Sequence, residues 1–197
     1  MQTLLVATKN QNKAQELTTL LADQQVTVQT LLDYPEFVDV DETATTFEGN
    51  ARLKAQAAVK AFQVPTLADD SGLMVDALYG QPGVRSARYA GDHNDAANNA
   101  KLLAELGGVP QKGRTAHFVA TLVYQDPIYH QELVVKGQLD GLILTVPRGQ
   151  DGFGYDPLFL VPELHKTLAE LTPQEKNQVS HRGRALRQFV QKWQHLN

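Results

Sequence analysis

Hydrophobic positions change their period along the chain. Leu4 to Ala7 form a short apolar run that predicts a buried strand, and from Gln11 onward Ala14, Leu17, Leu20 and Leu21 recur at helical spacing. A second helix is predicted by the stripe Ala51, Ala55, Ala58, Val59 and Phe62, with Thr45 and Glu48 spaced as a capping box at its start. "VPTLADD" then reads as a strand ending at Asp69 and Asp70. "NDAANNAKLLAELGG" reads as a helix stopped by Gly107 and Gly108, its leucines directed to the core. From Arg114 the period becomes two: Ala116, Phe118, Ala120, Leu122 and Tyr124 alternate with His117, Val119, Thr121 and Val123, predicting a long strand with a hairpin partner through Glu132 to Leu139. Thr172, Pro173 and Glu175 open a further helix, and Ser180 caps another. Strand and helix alternate in the first half, whereas later strands follow one another directly. The expected fold class is therefore α/β with a mixed sheet.

Composition narrows the function classes. The chain has 197 residues, 42% hydrophobic and 20% charged, which suits one domain spanning 1–197 or two small lobes sharing a core. It has no cysteine, which excludes a disulfide framework, a thiolate nucleophile and a zinc–thiolate site, and fits a cytoplasmic location. The stretch "MQTLLVATKN" is too short in apolar residues for a signal peptide, and no run approaches the roughly 20 apolar residues of a membrane span. No membrane partner is expected. A formal net charge of −4 argues against a general nucleic-acid binder, which needs clustered phosphate-neutralising Lys and Arg.

Three polar features remain. Asp69 and Asp70 stand side by side before Ser71 and Gly72, where like-charge repulsion and desolvation both cost energy; Asp-Ser-Gly is also ordinary turn chemistry. Cations sit at helix starts, where the macrodipole disfavours them: Lys13 follows the cap Asn10, and His181 and Arg182 follow Ser180. A bound anion would reverse that sign, and a solvated surface lysine is the alternative for Lys13. The third feature is "PRGQDGFGYDPLF". Its Gly149, Gly152 and Gly154 let backbone approach a ligand, and Phe153 and Tyr155 either offer faces to a base or plug the core. Asp156, extended before Pro157, is placed to accept hydrogen bonds from a heterocycle edge. In the second helix Phe47, Asn50 and Lys54 share a face near Glu42.

Nucleotide-loop, dehydrogenase, hydrolase-elbow and zincin motifs are missing, and the six histidines lack metal-ligand spacing. Glu42, Asp69 and Asp70 are hard oxygen ligands, so a metal here would be Mg²⁺, or Mn²⁺, held jointly with substrate phosphates. Carboxylates, cations and an aromatic slot together suggest a nucleoside triphosphate.

The blocks "TKNQNK", "TFEGNARLKA", "LADDSGL", "GQPGVRSARYAG", "GFGYDPLF" and "EKNQVSHRGRAL", in that order, resemble the inosine triphosphate pyrophosphatase family almost end to end. "ETA" and "GNA" depart from the family's usual Glu-Asp-Gly or Glu-Thr-Gly and Glu-Asn-Ala. The resemblance implies a central mixed twisted sheet flanked by helices, two lobes around an active cleft, and a homodimer. It implies that Thr8, Lys9, Asn10, Gln11, Asn12 and Lys13 hold the triphosphate, that Glu42 and Asp70 ligate Mg²⁺, and that Asp70 also activates water, with Ser71 a substrate contact. Phe153, Gly154, Tyr155 and Asp156 would stack on and read the base, Lys176, His181 and Arg182 would complete a purine pocket, and Asn50, Lys54 and Asp69 would support the site. The implied reaction converts purine nucleoside triphosphates such as ITP, dITP and XTP to the monophosphate and pyrophosphate. A pyrimidine-directed pyrophosphatase, a catalytically silent nucleotide sensor and a nucleic-acid module are the rival readings. The "SHRGRA" and "GFGYDP" blocks oppose the first and the acidic balance the last.

Overall fold

Helix starts follow the local sequence closely in the structure, a computed structural model that describes residues 2–91 and 94–196. Asn10 takes an extended conformation and its Oδ1 accepts the Lys13 amide at 3.1 Å, opening α1 (Gln11–Leu21). Thr46, rather than Thr45, caps α2 (Phe47–Phe62), because its hydroxyl is the one that reaches a first-turn amide, that of Gly49. Thr172 and Glu175 form a complete capping box on α4 (Pro173–Val179), and the extended Ser180 precedes α5 (His181–Trp193). Asn94 caps α3 (Asp95–Glu105).

The strands β1 (Gln2–Val6), β2 (Val26–Thr30), β3 (Thr66–Val75), β4 (Thr115–Asp126), β5 (Gln131–Ile143), β6 (Phe159–Val161) and β7 (Lys166–Thr167) form a seven-stranded sheet in the order β2-β1-β3-β4-β5-β6-β7. β1 is parallel to both β2 and β3, and β6 is antiparallel to both β5 and β7. Four residues join the neighbouring β4 and β5, a span that only an antiparallel hairpin closes. The mixed sheet expected from the sequence is borne out. Asp69 and Asp70, however, do not end a strand. β3 continues five residues past Asp70, so they lie in mid-strand.

The chain divides into two compact units. Unit 1 comprises residues 1–70, 120–137 and 182–197, and unit 2 comprises 71–119 and 138–181. In unit 1 the sheet is covered on both faces. Leu4, Val6, Leu67, Leu122 and Tyr124 pack with Leu17 and Leu21 of α1 and Leu186, Phe189 and Trp193 of α5. Leu5, Ala7, Ala68 and Val123 pack with Ala51, Ala55 and Ala58 of α2. Consecutive strand residues thus belong to opposite faces. Strands covered on both faces carry continuous apolar runs, which accounts for "LLVA". In unit 2 a separate core joins Leu73, Val75, Phe118, Leu139, Ile143 and Phe159 to Leu102 of α3 and to Tyr155 and Leu158. Among the described residues no helix is long and apolar enough to cross a membrane.

Candidate active site

In unit 1 the alternation along β3 carries through from the core residues Leu67 and Ala68 to the two aspartates. Asp69 shares the face of α1 and α5: Lys13 Nζ lies 2.8 Å and Arg182 Nε 3.5 Å from its Oδ2. Asp70 shares the face of α2, where Lys54 Nζ donates to Oδ1 at 2.8 Å and Asn50 Nδ2 approaches Oδ2 at 3.4 Å. The paired carboxylates are tolerable because each has its own cation on its own side of the sheet.

Their acidities diverge accordingly. Burial pushes the Asp69 carboxyl up, but the charges of Lys13 and Arg182 outweigh it and hold Asp69 well below the usual carboxylate range. For Asp70 burial is the larger effect and prevails over Lys54 and Lys13, so its affinity for a proton is raised. Burial opposes the charge on Lys54, yet Asp70 and Glu42 together keep its pKa above the ordinary lysine value.

Lys54 also donates to Glu42 Oε1 at 2.9 Å. Glu42 lies on the irregular segment 35–46, which is fastened at two further points. The Ala44 amide donates to Asn50 Oδ1 at 2.9 Å, and the Lys9 ammonium donates to the Pro35 and Phe37 carbonyls. Lys9 therefore serves the segment that carries Glu42. Thr8 is buried and its hydroxyl accepts the Asn10 amide, while Gln11 and Asn12 are exposed on the first turn of α1. Glu42 and Asp70 thus converge on one cationic position, with only two carboxylates between them. Among the described residues no group of three or more His, Cys, Asp or Glu gathers in a metal-binding arrangement. Two hard oxygen donors suit Mg²⁺, which keeps several waters and takes its remaining ligands from phosphates, better than an ion requiring a full protein cage.

In unit 2 the loop following β5 supplies the second constellation. Gly149, Gly152 and Gly154 all have positive φ, at 84°, 81° and 64°. A side chain on Gly152 would put Cβ 2.3 Å from the Asp156 carboxylate, so that turn admits glycine alone. Asp156 is buried and accepts the Phe153 amide at 2.9 Å and the Lys176 ammonium at 2.8 Å. Lys176 lies 4.5 Å from the centre of the Phe153 ring. Tyr155 is buried in the unit 2 core with its hydroxyl donating to the Ser86 carbonyl, while Phe153 is half-buried. His181 stacks on Phe118 at 4.7 Å, and Ser71 is half-buried on β3.

The aspartates, Lys13, Lys54, Asn50, Glu42 and Arg182 come together in unit 1, and Phe153, Asp156 and Lys176 in unit 2. Arg182, expected beside a base, has its guanidinium on Glu16 and Asp69. Three residues outside the motif reading take part. Glu16 accepts from Arg182, and it shares a face of α1 with Lys13 three residues earlier. Asp95 and Asn99 of α3 bind the Gly154 backbone. Only their i, i+4 spacing hinted at joint action.

Residues 4–192 match the Ham1 family. A dITP/XTP pyrophosphatase of Lactiplantibacillus plantarum is 58% identical over 98% of this chain and 95% of its own length. Another of Geobacillus kaustophilus is 52% identical over 100% of this chain and 96% of its own. Among solved structures, the Ham1 protein of Staphylococcus aureus superposes with a TM-score of 0.88 at 40% identity, covering 100% of both chains. The order of motifs, the mixed sheet and these near full-length likenesses agree: the chain belongs to the Ham1 family.

Proposed function

We propose that the chain is a nucleoside-triphosphate pyrophosphatase that hydrolyses non-standard purine nucleotides, ITP, dITP and XTP, to the monophosphate and pyrophosphate. The observation that carries this reading is Lys54 joined at 2.9 and 2.8 Å to Glu42 and Asp70, a cation shared by two carboxylates beside an Asp69 that is itself paired with Lys13 and Arg182. The names of the relatives, dITP/XTP pyrophosphatases, support the substrate class.

Water attacks the α-phosphorus, the bond to the bridging oxygen breaks, and pyrophosphate leaves while the water proton passes to Asp70. Burial, which raises the proton affinity of Asp70, makes it the better acceptor of the two aspartates. Lys54 and Asn50 hold its carboxylate in one orientation. Lys13, Lys54 and the amides at the start of α1 receive the phosphates. Glu42 and Asp70 would hold Mg²⁺, or Mn²⁺, whose chemistry is to screen phosphate charge and stabilise the leaving pyrophosphate. The base is assigned to the unit 2 loop, with Phe153 as the stacking face, Lys176 as donor to a keto oxygen, and Tyr155 supporting the loop from the core. Homodimeric assembly and a cytoplasmic location belong to the same proposal and rest on the family resemblance.

The test is product analysis with ITP, dITP, XTP and ATP, with Mg²⁺ and with excess chelator. Monophosphate and pyrophosphate from the first three, a rate for ATP lower by roughly a hundredfold or more, and loss of turnover in chelator are expected. Nucleotide binding without pyrophosphate release would instead identify a silent sensor.

A further inference from the structure

The backbone groups of Phe153 and Gly154 in the glycine loop of unit 2 are bonded to protein. The Phe153 amide donates to Asp156, the Asp156 amide donates to the Phe153 carbonyl at 3.3 Å, and the Gly154 peptide groups go to α3. Asp95 Oδ2 accepts the Gly154 amide at 2.7 Å, and Asn99 Nδ2 donates to the Gly154 carbonyl at 2.8 Å. Asp95 and Asn99 stand one helical turn apart on a single face of α3, so one rigid element grips both the donor and the acceptor of one residue.

That residue is conformationally unusual. Gly154 has φ +64°, yet a Cβ there would meet nothing within 4 Å. Space does not call for glycine at this position; the left-handed backbone favours it. A half-buried glycine turn of this kind has few side-chain contacts of its own to hold it. The side chain next to it is Phe153, whose ring sits against Lys176.

We propose that Asp95 and Asn99 are positioning residues: a two-point clamp from α3 that holds Gly154 in its left-handed conformation and so sets how Phe153 and Lys176 meet a purine base. The base-binding half of this inference rests on the function proposed above, whereas the clamp itself does not. The clamp acts on ground-state and transition-state binding alike, because the base is remote from the reacting phosphorus. Its loss therefore raises KM and leaves kcat nearly unchanged.

The experiment compares Asp95→Ala, Asn99→Ala and Asp95→Asn with the parent. Hydrogen exchange of the Gly154 amide is followed in the nucleotide-free protein, and kcat and KM are measured with ITP and XTP. Alanine is a good helix former at both positions, so the variants are expected to fold. Asp95→Asn removes the charge from the first turn of α3 but keeps an acceptor oxygen, separating the clamp from any helix-dipole effect. In both alanine variants exchange at Gly154 should accelerate about tenfold and KM rise about tenfold with kcat within about twofold, consistent with loss of one hydrogen bond to a loop. Asp95→Asn should stay near the parent in both readouts. Unchanged exchange at Gly154 in the alanine variants overturns the clamp. Faster exchange with unchanged KM overturns its role in base binding, and so does a fall in kcat equal to that in kcat/KM. A parent that turns over neither nucleotide overturns the proposed reaction, and the exchange measurement then still decides the clamp.

Discussion

The two polar constellations handle buried charge in opposite ways. In unit 1 several carboxylates and cations share partners: Lys54 serves Glu42 and Asp70, and Asp69 is served by Lys13 and Arg182. In unit 2 one Lys176–Asp156 pair is tied into backbone amides and a left-handed loop. Shared ion pairs can be rearranged when a polyanion and a divalent ion arrive, because Lys54 already balances Glu42 and Asp70, and Arg182 balances Glu16 and Asp69. A single pair locked by peptide groups fixes a shape. The first arrangement suits a reaction in which charge changes, and the second suits recognition of a neutral heterocycle.

Four measurements break or sharpen that contrast. The largest effect is expected where the fixed pair is cut. Lys176→Met leaves the buried Asp156 carboxylate without its ammonium and should lower stability by about 3–5 kcal/mol. Chemical denaturation checks this, and a loss below about 1 kcal/mol would show that the pair does not fix the loop. Next comes Asp70→Asn, which keeps size and shape but removes the proposed proton acceptor. Single-turnover hydrolysis should fall roughly a hundredfold or more, about 2.7 kcal/mol, while calorimetric binding of a non-hydrolysable analogue persists. Asp69→Asn should lose less turnover; the reverse order would exchange the roles of the two aspartates.

Acidity separates the same neighbours without touching catalysis. Because the folded-state pKa of Asp69 lies below its ordinary value of 3.8, its ionised form contributes stability that is fully present above that value and is lost as pH falls below it. The stability difference between the parent and Asp69→Asn should be constant through neutral pH and narrow below about pH 4. Asp70, raised by burial, has the opposite sign: its ionisation costs stability as pH rises through the ordinary carboxylate value towards its own. Thermal melts of both asparagine variants across acid pH should therefore diverge, and parallel curves would contradict the two environments. The smallest effect is expected at Lys9→Met, which frees the Pro35 and Phe37 carbonyls from their tether. A change of about 1 kcal/mol, roughly fivefold in the Mg²⁺ concentration for half-maximal rate, should accompany faster hydrogen exchange over 35–46. A rise in nucleotide KM alone would make Lys9 a phosphate ligand instead.

The sequence by itself determined whatever depends on neighbours within a few residues. The capping of α1 by Asn10 and of α4 by Thr172 and Glu175 was legible because each partner lies three residues away. That Gly149, Gly152 and Gly154 mark a special loop was legible from residue type alone, while their positive φ came from the structure. Alternation along strands also implied that Asp69 and Asp70 face opposite ways, and ordered motifs identified the family. Only tertiary structure decided which ions pair and where the carboxylates sit. Arg182 meets Glu16 across 166 residues of chain, and Asp95 and Asn99 reach Gly154 across 59 and 55. β3 runs on past the aspartates against the turn chemistry of Asp-Ser-Gly, because most of that strand is buried and its amides find partners, that of Leu73 in the Ser86 hydroxyl and that of Val75 in the Gln81 carbonyl. Tyr155 became core while Phe153 did not, a choice made by packing against Ser86 and its surroundings. Local propensities act through a few bonds of chain and can be read in order along it. Pairing among many carboxylates and cations is decided by distances that exist only once the helices have docked on the sheet.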